Sequence, residues 1–143
     1  MKFLMTWQGM ALCSAFFAAL TAIFGKIGVT GLNSDLATFL RTIVILVVVA
    51  VLVTARSEWH LPNIVPTKSI IFLVLSGVAT GASWVCYYRA LQLGPASSVA
   101  PAEKISVALT MLLAFVVLGE VMTWKSVIGG ALVVAGVVVI AIP

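Results

Sequence analysis

An all-α polytopic membrane bundle of five transmembrane helices is the fold the sequence predicts, and three observations predict it. Hydrophobic residues make up 63% of the 143-residue chain and charged residues only 8%, against roughly a quarter charged in an ordinary soluble domain. The mean hydropathy of +1.26 leaves too few polar side chains to cover a water-facing surface. The apolar residues fall into five runs, each close to the roughly 20 residues a helix needs to cross a hydrocarbon core about 30 Å thick. A soluble enzyme, a nucleic-acid-binding domain and a disordered tail are excluded together. The net charge of +4 is scattered singly and forms no basic run.

The first span is predicted at about 7–27. Its uncharged run over 3–25 is longer than a signal-peptide core, and Leu12 before Cys13 is a poor lipoprotein cleavage context, so a retained helix is expected. Cys13 and Cys86 both lie in apolar runs and read as small hydrophobes rather than a disulfide pair. A turn over 28–35 leads into the second span, about 35–55, with Asn33, Ser34 and Asp35 as N-cap types. The loop 56–67, with Pro62 and Pro66, is the longest connection. It holds His60 without Cys or His at ligand spacing, so no metal site and no cofactor are expected. The third span covers about 68–91, and Leu93-Gly94-Pro95 turns the chain into a fourth at about 96–118. Gly119-Glu120 ends that span, and a fifth follows at about 124–142. None of the runs alternates polar with apolar residues as a β-barrel strand would. The whole chain, 1–143, reads as one domain.

An odd number of spans puts the termini on opposite faces of a cell membrane. The N-terminal face receives Lys2, Arg56, Lys68 and Lys125 with Glu58 and Glu120. The other face receives Lys26, Arg41, Arg89 and Lys104 with Asp35 and Glu103. The positive-inside count is therefore tied. Arg41 and Lys104 lie inside helices, and Trp7, Trp59 and Trp124 form an aromatic belt at the N-terminal face, which favours that face as cytoplasmic. A tie is also what a chain inserting both ways round shows, so dual topology stays open.

Polar residues are placed in stripes. Ser76, Thr80, Ser83 and Tyr87 share one face of the third span, with Gly77 and Gly81 as a small-residue pair beside them. Glu103, Ser106 and Thr110 share a face of the fourth, Thr38, Arg41 and Thr42 one of the second, and the first contributes Ser14 and Thr21. Any single hydroxyl more often bonds its own helix; stripes on several helices favour a shared polar cavity. Arg41 and Glu103, with Lys104 beside it, lie about 10 Å from their helix starts, by helix rise. Burying an ionisable group there requires a partner or water, and an Arg41–Glu103 pair is geometrically allowed, structural or functional in equal measure. Pro95 and Pro101 bracket the start of the fourth span, where a proline frees a carbonyl about one turn earlier. Trp84 lies deeper than a belt residue and is the better cavity candidate; Tyr88 and Arg89 read as boundary residues. The fifth span has no polar side chain beyond Val127, and Gly129 and Gly136 make it a packing or dimerisation seam.

The run over 84–101, with Trp84, Tyr87-Tyr88-Arg89-Ala90-Leu91-Gln92-Leu93-Gly94-Pro95 and Pro101, continues through Glu103-Lys104-Ile105-Ser106 to Leu118-Gly119-Glu120, Ile128-Gly129 and Gly136-Val137. Together these resemble the EamA-like domain of the drug/metabolite transporter superfamily, over essentially the whole chain. The fifth span is similar to the last helix of the small multidrug resistance proteins. Family members commonly carry two such units in inverted orientation, so the resemblance implies a second copy, most simply an antiparallel homodimer. It also implies export of a small metabolite or drug, with the first four helices lining the cavity. The small multidrug proteins carry an acid in the first helix; this chain has none there, leaving Glu103 as the deeply placed acid. A secondary transporter working by alternating access is the leading reading. A translocator of a lipid-linked headgroup, and a membrane partner or scaffold without transport, are the alternatives.

Overall fold

In hydrocarbon every backbone N–H and C=O must be satisfied within its own segment, so long apolar runs close into helices. The computed structural model describes residues 6–59 and 65–141. Lys2, His60, Pro62 and the end of the last predicted span, at 142, lie outside them. Among the described residues six helices follow in order: α1 (Trp7–Gly28), α2 (Ser34–Ala55), α3 (Thr67–Leu93), α4 (Ala96–Ala102), α5 (Ile105–Leu118) and α6 (Trp124–Ala141). Taken as spans, with α4 and α5 together as Ala96–Leu118, five are long and apolar enough to cross a membrane. The one departure from the predicted elements is that the fourth span is broken in two.

Local chemistry sets the helix ends. The Asn33 side chain accepts from the backbone N–H groups of Asp35 (2.8 Å) and Leu36 (3.3 Å), capping α2. At the other end, Glu58 N–H donates to the Val53 carbonyl and Ser57 N–H to that of Thr54, both at 3.0 Å. This is a Schellman closure, which places its terminal residue in the left-handed region; here Ser57 takes that place at φ 53° without being glycine. The Trp59 indole N–H then donates to Thr54 Oγ1 at 2.9 Å, folding the belt tryptophan back onto the end of α2. Gly119, at φ 68°, turns the chain out of α5.

Two compact units make up the chain. One takes in the chain up to Lys26 and from Gly94 onward; the other is Ile27–Leu93. In the first unit α6 packs on α4 and α5, and its buried residues, Gly130 and Val137, lie seven apart on one face. A Cβ on Gly130 would stand 3.0 Å from Met111 Sδ of α5, so the absence of a side chain there makes room for Met111. Lys26 Nζ donates to the Gly94 carbonyl at 2.9 Å, tying α1 to the turn before α4. In the second unit α2 packs on α3. Ser34, Ala37 and Thr38 are buried at the start of α2, and Tyr88 and Leu91 near the end of α3. Gln92 Nε2 closes the same end by donating to the Leu32 carbonyl at 2.6 Å, while its Oε1 accepts from Arg89 at 3.0 Å. Most large apolar side chains of both units face outward, as hydrocarbon permits and water would not.

Candidate functional site

Arg41 is the centre of the second unit's chemistry. It stands seven residues into α2, about 10 Å along the helix from Ser34. Its guanidinium carbon lies 4.0 Å from the centre of the Trp84 ring and 5.3 Å from that of Tyr88. Trp84 and Tyr88 are one helical turn apart on α3, so their side chains project from one face and flank the arginine. A guanidinium so close to aromatic rings gains cation–π attraction, more as water is excluded. That attraction uses the rings' faces. The guanidinium's Nη1 is buried and has no hydrogen-bond partner.

The hydroxyls sharing Arg41's face do not serve it. Thr38 Oγ1 donates to the Ser34 carbonyl at 2.8 Å and Thr42 Oγ1 to the Thr38 carbonyl at 2.7 Å, each back onto its own helix. The stripe on α3 is similar in part: Thr80 Oγ1 donates to the Ser76 carbonyl at 2.8 Å. Ser83 is exposed beyond it and Tyr87 is half-buried. Thr80 thus bonds within its helix, whereas Trp84 and Tyr88 are brought onto the charged group. Tyr88 is the residue sequence reasoning missed. Its position four residues after Trp84 was visible, but a boundary tyrosine reads as a belt residue until its partner on another helix is known.

In the first unit the chemistry gathers where the fourth span breaks. Pro95, extended at φ −71° and ψ 143°, starts α4. Pro101 lies near the C-terminal end of α4 and has no N–H to offer the Ser97 carbonyl. Past it the ladder tightens to three-residue spacing: Lys104 N–H donates to the Pro101 carbonyl at 2.8 Å, and Ser106 and Val107 to those of Glu103 and Lys104 at 3.0 Å. Glu103 and Lys104 occupy this break, their side chains loosely paired at 3.5 Å and each about half exposed. Their partial exposure leaves both charges available to other partners, since such pairs contribute little. The break follows Pro101 by about half a turn.

Three further predicted residues fall elsewhere in this unit. Ser14 and Ser106 are exposed on α1 and α5. Thr110 lines a cavity of about 540 Å³ between α5 and α6, together with Met111, Ala114, Gly129, Gly130 and Val133. On α6, Cβ atoms on Gly129 and Gly136 would meet nothing within 4 Å, whereas Gly130 is filled from α5. The inward face of α6 therefore runs through Gly130 and Val137, and the predicted seam at Gly129 and Gly136 is open.

Residues 5–142 match the EamA-like transporter family. A protein of Sinorhizobium sp, named an uncharacterized transporter in the cobO 3′ region, is 47% identical over 137 residues, which are 96% of this chain and 97% of that protein. No solved structure matches.

Proposed function

We propose, from the premise that the chain belongs to the EamA-like transporter family, that it exports a small metabolite or drug across the cytoplasmic membrane by alternating access between paired copies. Membership makes it a multi-pass membrane transporter, and the five apolar spans accord with that. The observation that carries the finer reading is the break in the fourth span. Transporter sites are commonly built where a spanning helix is interrupted, because the interruption frees backbone groups and charges at membrane depth. Here it places Glu103 and Lys104 about 10 Å beyond Ala96. We assign Glu103, Lys104, Ser106 and Thr110 to the solute path on the first unit, with Ser14, and Arg41, Thr80, Ser83, Trp84 and Tyr87 on the second.

Pairing is read from the five spans of this chain. Two such chains in opposite orientation would reproduce the inverted repeat of larger transporters, and the tied charge count accords with it. The N-terminal face is assigned to the cytoplasm in the favoured orientation. Mass spectrometry of the medium of cells overproducing the chain tests the export reading. One solute or a small chemical set should accumulate outside, and Glu103→Gln should abolish it; a medium indistinguishable from that of control cells would contradict export.

A further inference from the structure

We propose that Arg41 is an oxyanion-binding residue, whose guanidinium, held against Trp84 and Tyr88, takes a carboxylate or phosphate. The inference rests on the transporter reading for its occupant being the moved molecule, and it names that molecule's chemical class.

Arg41 brings a guanidinium charge into α2. In a spanning helix such a charge requires a partner. The rings of Trp84 and Tyr88, at 4.0 and 5.3 Å, satisfy the guanidinium by cation–π attraction and fix its position. Nη1 is buried without a hydrogen-bond partner. The neighbouring threonine hydroxyls are turned to their own backbone. Among the described residues of this unit the acids are two. Asp35 lies in the first turn of α2, where its carboxylate faces Ser34 Oγ at 3.5 Å. Glu58 lies beyond the opposite end of α2, whose last residue, Ala55, is about 21 Å of helix rise from Arg41. What remains is a guanidinium held beside two rings with one donor, Nη1, unspent. The planar fork of a guanidinium matches two oxygens of a carboxylate or phosphate, and a cationic ligand would be repelled. An aromatic or apolar body on the solute would find the outer edge of Trp84 beside it, which the half-buried state of that ring leaves accessible.

The full chain in phosphatidylcholine nanodiscs, at constant ionic strength, provides the test. Sodium benzoate, sodium phosphate and benzylammonium chloride are titrated against tryptophan emission. The Trp84→Phe variant isolates the Trp84 signal from those of Trp7, Trp59 and Trp124. Benzoate or phosphate should give a saturable change that benzylammonium does not. Arg41→Gln should weaken it by about 10- to 100-fold, as loss of a charge-assisted hydrogen bond does. Arg41→Lys, which keeps charge without the fork, should fall between. Phosphatidic acid added to the discs distinguishes the sources: if it competes with benzoate the oxyanion is a lipid headgroup, and if it does not the oxyanion is a free solute. The inference is overturned if no anion saturates, if benzylammonium matches benzoate, or if folded Arg41→Gln (checked by circular dichroism) binds anions unchanged. Failure of the transporter reading looks different: anion binding would persist with no flux in proteoliposomes. Flux of a cation indifferent to Arg41→Gln would leave transport standing and remove the oxyanion site.

Discussion

Replacing Trp84 by leucine should destabilise the chain, and by more when Arg41 is present than when it is not. The Arg41 guanidinium carbon is 4.0 Å from the Trp84 centroid, well inside the roughly 6 Å range of cation–π attraction. Exposed pairs of this kind contribute about 0.5–1 kcal/mol and desolvated ones about 2 or more. Arg41 and Trp84 are half-buried and lie within the predicted hydrocarbon span, so a coupling of about 1–2 kcal/mol is expected. A double-mutant cycle of Arg41→Leu and Trp84→Leu isolates that quantity from the packing each side chain also supplies. Reversible unfolding in mixed micelles with increasing dodecyl sulfate, followed by circular dichroism, supplies the four free energies. Additivity to within about 0.3–0.5 kcal/mol, the scatter of independent sites, would refute the claim that the ring holds the guanidinium.

Three further outcomes are expected. Ser57→Gly relieves a left-handed residue in the closure of α2 and should stabilise the chain by about 0.5–1 kcal/mol in the same assay; an unchanged or lower midpoint would contradict the closure. Pro101→Ala restores an N–H to the broken span, and should raise unfolding stability by roughly 1–3 kcal/mol while lowering solute flux. Equal or higher flux would show that the break is not used. Gly136→Leu meets open space within the chain, so it should leave unfolding unchanged yet shift the protein toward single copies in cross-linking and sedimentation. Gly130→Leu, against Met111, should instead destabilise the chain itself.

How far the sequence revealed this arrangement depends on how local each feature is. Span lengths follow from hydropathy, and the Asn33 cap, the Pro95 start and the Gly119 turn follow from residues that act on their own neighbours. The broken fourth span was half legible. Pro101 announces a lost hydrogen bond, but the three-residue ladder through Glu103 and Lys104 depends on how the following turn is satisfied. The α3 stripe was legible as periodicity, yet periodicity does not say whether a hydroxyl turns to a cavity or, as at Thr80, to its own carbonyl. The Arg41 clamp was least legible, since it joins residues more than 40 positions apart. Trp84 stood out by depth, while Tyr88 needed α2 beside it to be told from a belt residue. On α6 the seven-residue spacing singles out Gly129 and Gly136, and only the packing of α5 shows that Gly130 is the glycine filled while those two are open.

Solute flux through the purified chain tests the central claim most directly. Proteoliposomes loaded with an isotope-labelled pool of small metabolites should release one chemical class faster than protein-free liposomes. Glu103→Gln should abolish that release, and Ser57→Gly, remote from the proposed path, should leave it intact. Release no faster than from empty liposomes, or release indifferent to Glu103→Gln, would contradict a transporter whose path runs through the broken fourth span.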